Sequence, residues 1–247
     1  MFNFTERPPD VLCVFGRGIQ KRTNGQEEIW EPTEHVEQLT PEGQHPGTFL
    51  GDPDPNSDDP SVRVGGGKMN TIAAAFLFKG WREHGSRPGI VVFAAGRPNY
   101  LALEPPELSE GAILREWFMG RTESKDAEII LQDQNKTTLD DLEKTLWLAK
   151  QRTLSSVAVV TVLPHIARCM EFLKQVRKTF PQLTPIEATF ISSEIVMAYG
   201  YPKSAQRILE TMNSKAYERT MFWERKGIAD FRAGTYASVQ DTAPSAR

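Results

Sequence analysis

Five short runs along the chain are nearly continuous in apolar or β-branched residues: VLCVFG (11–16), IVVFAA (90–95), EIILQD (128–133), VAVVTV (157–162) and ATFISS (188–193). Strict alternation is weak in all five, which is the pattern of strands covered on both faces. Between them the period changes from two to that of a helix. MNTIAAAFLFKGWREHG is rich in Ala, Leu and Phe and ends on Gly85, a C-cap residue type. PELSEGAILREWFMG and TTLDDLEKTLWLAKQR place apolar residues at i, i+3, i+4 and i+7. In the second, Thr138 precedes Asp140 and Asp141, acids suited to a first helical turn. PHIARCMEFLKQVRKTF is a further amphipathic helix, opened by Pro164 where a helix favours proline.

Strand and helix therefore alternate. Right-handed crossovers convert that order into an α/β fold, a mostly parallel sheet of five or more strands with helices on both faces. The chain reads as one domain over 1–235, with C-terminal helices in 196–235 and a flexible tail at 236–247. Residues 20–62 break the pattern. They are polar, rich in Pro, Gly and Asp, end in GDPDPNSDDPS, and show no core periodicity. Such a stretch reads as a surface loop or disorder, or as a lid over the ligand end of the sheet.

Composition narrows the function classes. At 247 residues the chain can bury a sufficient core without covalent staples. The net charge of −3 supplies no basic excess, so a nucleic-acid partner is not expected. No apolar run is long enough to span a bilayer. The N-terminus MFNFTERPPD lacks the basic and apolar regions of a secretory leader. Cys13 and Cys169 sit in or beside apolar runs, as reduced, buried thiols do, and the expected compartment is cytoplasmic. Without a leader, the glycosylation sequons at Asn3 and Asn135 read as chance matches.

Open α/β sheets bind ligands beyond the carboxyl ends of their strands, so the residues after each strand are the candidate chemistry. They are Gly16, Arg17 and Gly18 after the first strand, and Gly96, Arg97 and Asn99 after the second. Gln132, Asp133 and Lys136 follow the third, and Pro164, His165 and Arg168 follow the fourth. Arginine forks pair with phosphate or carboxylate oxygens, and helix N-termini at the same edge add N–H groups. The expected ligand is a small anionic molecule, with phosphate leading. Ser109 and Glu110 start a helix, as a cap and first-turn acid or as site residues. Asp133 suits a ribose hydroxyl, a metal or an Arg. GGGKMN is no P-loop, because Val62 and Met69 stand where Gly and Ser or Thr are required; a Gly turn with Lys68 at an anion remains compatible. His165 falls in a first helical turn, where the dipole favours a neutral ring able to act as a base or donor. No second His or Cys lies at zinc-ligand spacing.

Together these motifs resemble the YdcF/SanA/ElyC-like family of bacterial proteins over roughly residues 10–195. The first strand ends in a Gly-rich turn as in that family, and Ala95, Gly96 and Arg97 stand where it has Ser-Gly-Gly. Ser109, Glu110 and Gly111 match a Ser-Glu-Ala helix start, and Asn135 to Asp141 align with Ser-x-Asn-Thr-x-Glu-Asn. Thr161, His165 and Arg168 match Val-Thr-Ser-x-x-His-x-x-Arg-Ala at the right spacing. Gln132, Thr137 and Asp141 depart from an expected Glu and two expected Asn. The resemblance implies a Rossmann-like three-layer sandwich of the soluble branch and a nucleotide-type ligand, with S-adenosylmethionine proposed for that branch. Three readings follow. One is an enzyme that hydrolyses or transfers a group on a phosphate-bearing or nucleotide-like molecule. Arg17, Arg97 and Arg168 would hold the anion, His165 would be the base or donor, and Glu110 or Asp133 would orient it or bind a divalent metal. The second is an S-adenosylmethionine- or nucleotide-binding transferase, and the third a non-catalytic nucleotide sensor. Lys68, Thr138, Asp141 and Thr161 complete the expected ligand-binding set.

Overall fold

A computed structural model describes residues 7–24, 27–40, 46–49, 51–96, 108–122 and 127–236. Strand β1 (Val11–Phe15) is followed by four short strands, β2 (Ile19–Asn24), β3 (Glu27–Pro32), β4 (Val36–Gln38) and β5 (Val62–Val64). The chain then runs through α1 (Gly67–Glu83), β6 (Ile90–Ala94), α2 (Glu110–Thr122) and β7 (Glu128–Gln132). It continues through α3 (Thr138–Gln151), β8 (Ser156–Thr161), α4 (Leu163–Thr179), β9 (Glu187–Ser192), α5 (Ser193–Gly200), α6 (Pro202–Met212) and α7 (Lys215–Arg232).

The central sheet has five strands in the order β7-β6-β1-β8-β9, all parallel. Its apolar runs are continuous because both faces are covered. Val11, Cys13 and Phe15 of β1 face Leu142 and Leu146 of α3 and Phe172 and Val176 of α4. Leu12 and Val14 point the other way, onto Leu77 and Phe78 of α1, Phe118 of α2 and Val196 of α5. This is a Rossmann-like three-layer sandwich. Each fully buried large apolar side chain contributes about 1.5–3 kcal/mol, so the two clusters dominate the folding free energy. Among the described residues, no helix is long and apolar enough to cross a membrane.

The strands and main helices lie within a residue or two of their sequence-based bounds, apart from the start of α2. Asp140 and Asp141 fall in the first turn of α3, and Thr137 caps it: its hydroxyl accepts from Asp140 N at 3.1 Å while the Asp140 carboxylate accepts from Thr137 N at 3.1 Å.

The polar stretch at 20–62 is where the structure departs from the loop expectation. Strands β2 and β3 form an antiparallel hairpin, and β4 pairs with β5. The hairpin is held by charge. Arg22 contacts Glu31 at 2.6 Å and Glu34 at 2.7 Å, and Gln20 donates to Glu31 at 3.0 Å. Lys68 of α1 reaches across to Glu31 at 2.8 Å and also pairs with Glu34. An insert whose buried side chains include Gln20, Glu31, Thr33 and Glu37 leaves little hydrophobic period to read. The tail expectation differs at Tyr236, which packs on Phe172 and Phe231 with ring centroids 5.6 and 6.0 Å apart. Residues 237–247 lie outside the described residues.

Candidate functional site

The sheet winds outward from β1 to β6 and β7, then crosses to β8 and β9 on its other side. The crevice between the carboxyl ends of β1 and β8 is therefore the switch point, where ligands bind such sheets. Two loops meet there, Gly16–Gly18 after β1 and Val162–Pro164 after β8. Gly16 is required by crowding: a Cβ there would lie 2.5 Å from both the Glu110 Oε1 and Ala95 Cβ atoms. Glu110 fixes the turn by accepting from Gly18 N at 2.6 Å.

At this crevice Arg17, His165 and Arg168 are brought together, around a residue of the chain itself. Glu224 projects from the buried stripe of α7 that also carries Ala216 and Thr220. Both its carboxylate oxygens lie 3.1 Å from His165 Nδ1. Arg168 approaches side-on, with Nε 2.9 Å from Oε2 and Nη2 3.4 Å from Oε1. Arg17 is held more loosely: Nη1 is 3.4 Å from Oε1, Nη2 is 3.5 Å from Val64 O, and among the described residues its buried Nε has no hydrogen-bond partner. His165 is 2% exposed and Glu224 5%. Burial lowers the His165 pKa, Glu224 works against that, and Arg168 and Arg17 lower it again, leaving about 4. Burial would raise Glu224, but His165 and the two guanidiniums hold it down to about 2. At neutral pH the ring is uncharged, so the arginines alone balance the carboxylate, and the cluster keeps one net positive charge.

A second group lies over the ends of β6 and β7. Asn135 donates to Asp141 Oδ1 at 2.7 Å and accepts from Lys144 at 2.5 Å. Asp141 is buried, and desolvation is the main reason its pKa is pushed up to about 7; the charges of Glu110 and Asp140 add to the rise. It is therefore a carboxylic acid poised to hold or release a proton near neutrality. Gly96 packs against this turn so closely that a Cβ would meet Asn135 O at 1.9 Å. Thr161, at the end of β8, is buried, and among the described residues its hydroxyl has no hydrogen-bond partner. The same holds for Asn70 Oδ1, whose amide nitrogen donates to Phe15 O at 2.9 Å.

Other expected residues have structural partners. The Lys68 ammonium is committed to Glu31 and Glu34. The Gly65–Lys68 amides are also taken: Gly65 N donates to His35 O, Gly66 N to Glu34 O, Gly67 N to Thr33 Oγ1 and Lys68 N to Thr33 O. The Gly turn therefore has none of these N–H groups free for an anion. Gly66, at φ 113°, could not carry a side chain, since Val162 Cγ1 stands 2.4 Å from where a Cβ would sit. Ser109 caps α2 by accepting from Ala112 N at 3.1 Å. Asp133 lies in an open turn, with Gln134 Nε2 at 3.3 Å. Arg97 and Asn99 lie outside the described residues. Among the described residues, no group of three His, Cys, Asp or Glu side chains is placed to hold a metal ion.

Glu224 is the residue that sequence reasoning missed. Its signal is an acid falling on an i, i+4, i+8 stripe with Ala216 and Thr220, the face that α7 turns inward. Glu194 was missed likewise: it accepts from Leu163 N at 2.8 Å and so holds the loop before His165.

Fold and site together define a class: a parallel α/β protein with a buried His–Glu–Arg cluster at its switch point. The chain matches no family model, no curated protein and no solved structure.

Proposed function

We propose that the protein is an enzyme acting on a phosphate-bearing or nucleotide-like small molecule, by hydrolysis or group transfer, at the carboxyl edge of its parallel sheet. The observation that carries this reading is the convergence of Arg17, Arg168 and neutral His165 around Glu224 at the switch point. The motif resemblance to the YdcF/SanA/ElyC-like family supports the same placement. Arg168, with Nε 2.9 Å from Glu224 Oε2, is committed to that carboxylate, which leaves Arg17, whose contacts are 3.4 and 3.5 Å long, as the guanidinium that receives the ligand's anion. His165 serves as the base, and Asp141, protonated near neutrality, as an acid or hydrogen-bond donor. A cationic sulfonium is a poorer partner for a positive cluster, so a nucleotide or phosphate ester is preferred to S-adenosylmethionine.

The test is a panel of nucleotides, phosphomonoesters and S-adenosylmethionine, followed for product by mass spectrometry. Turnover of a phosphate-bearing compound is expected, falling about 10²–10⁴-fold in His165→Ala. Turnover unchanged by that substitution contradicts the role given to His165. A sensor reading is favoured by the internal pairing of Arg168 and Lys68, and tight nucleotide binding without product would select it.

A further inference from the structure

We infer that Glu224 is the positioning residue of this site, fixing His165 with its proton on Nδ1 so that Nε2 presents a lone pair to substrate. The inference rests on the enzyme reading above and assigns to α7, outside the stretch that carries the motif resemblance, a part in the chemistry.

The geometry favours one tautomer. An ionised carboxylate can only accept, and both Glu224 oxygens stand 3.1 Å from Nδ1. A lone pair on Nδ1 would face two negative oxygens; a proton there is shared between them. Arg168 Nη2, 3.2 Å from Nδ1, can only donate and so favours the opposite tautomer. It is outweighed, because Arg168 keeps its 2.9 Å contact with Oε2 in either case. Among the described residues, Nε2 has no hydrogen-bond partner.

Arg168 and Arg17 then act through the carboxylate. They keep Glu224 ionised in a site where burial would protonate it. When the Nε2 lone pair takes a proton from an attacking hydroxyl or water, the oxygen keeps the bonding electrons as nucleophile. The ring becomes an imidazolium, flanked by the buried Glu224 carboxylate, which stabilises it. This is the orienting role a third group plays for a catalytic base.

Ring-¹⁵N-labelled histidine in the intact protein reads the tautomer directly, with His165 assigned by the signal lost in His165→Ala. At neutral pH the wild-type ring is expected protonated on Nδ1 and bare on Nε2. Glu224→Asp is expected to keep that state. Glu224→Gln, whose amide offers a donor or an acceptor, is expected to lose its exclusivity. A wild-type ring protonated on Nε2, or an exclusive Nδ1–H state surviving in Glu224→Gln, overturns the inference. The measurement needs no ligand. A correct tautomer in a protein that turns over no phosphate compound would remove the enzyme reading and leave the positioning geometry standing.

Discussion

The two arginines at the switch point look alike in sequence, each a few residues past a strand, yet they carry different burdens. Arg168 grips both oxygens of a carboxylate that is 5% exposed, whereas Arg17 touches it at 3.4 Å. Removing one partner of a buried pair costs about 3–5 kcal/mol, so Arg168→Gln is expected to destabilise the fold on that scale. Arg17→Gln is expected to cost markedly less stability while weakening anion binding. Denaturant unfolding of both variants separates them. The titrations around the site have opposite signs. The His165 pKa of about 4 lies below its ordinary 6.5. The unfolded chain therefore takes up this proton first, and the stability contributed by the neutral buried ring is present above about pH 6.5 and lost as pH falls toward 4. Glu224 adds stability that is present above its ordinary 4.5 and is lost on falling toward 2. Asp141 runs the other way. Folding raises its pKa from 3.8 to about 7, so its burial costs stability increasingly from 3.8 upward and in full above 7. Asp141→Asn preserves the acceptor for Asn135 and is expected to stabilise the protein by about 1–3 kcal/mol in mildly alkaline buffer, with no gain near pH 4. Chemical denaturation at the two pH values checks this.

At the scale of elements, legibility followed the kind of force that holds each one. The central strands β1, β6 and β8 were readable because two-sided burial writes itself as nearly continuous Val, Ile, Phe, Ala and Cys, and the half-buried edge strands β7 and β9 keep enough Ile, Leu and Phe to be read with them. The hairpin β2–β3 was not, because Gln20, Arg22, Glu31, Glu34 and Lys68 hold it by charge-assisted hydrogen bonds. Polar residues in that role look the same in sequence as polar residues in a loop. The site was legible in part for a related reason. Strand-end position found Arg17 and His165, but Glu224 arrives from a helix some sixty residues downstream, where only the inward stripe of α7 marks it. Lys68 fastens the hairpin to α1, and Val64 of β5, just beyond the insert, donates to Thr220 Oγ1 of α7 at 2.8 Å. Lys68→Met leaves Glu31, 3% exposed, with Arg22 as its remaining cation. Faster amide exchange across 19–32 is expected, with exchange across β1, β6 and β8 unchanged; uniform protection would show that the ionic clamp is not what holds the hairpin.

At the scale of the molecule, α7 ties the insert, the switch point and the α3–α4 face together. Its first turn bonds to the insert, with Ala216 N donating to Pro55 O at 2.9 Å. Glu224 closes the switch point, and Phe231 packs on Phe172 of α4 at 4.7 Å. Cys169, on α4 beneath this helix, is fully buried, as is Cys13 in β1, and burial pushes both thiols well above their ordinary pKa. Neither is expected to react with iodoacetamide in the native protein. The central claim is that this closed cluster still receives a small anion through Arg17. Mass spectrometry of the supernatant released by denaturing freshly purified protein tests it most directly. A phosphate-bearing small molecule is predicted from the wild type and its loss from Arg17→Gln. An equal yield from both proteins, or no anionic small molecule from the wild type, would contradict the claim.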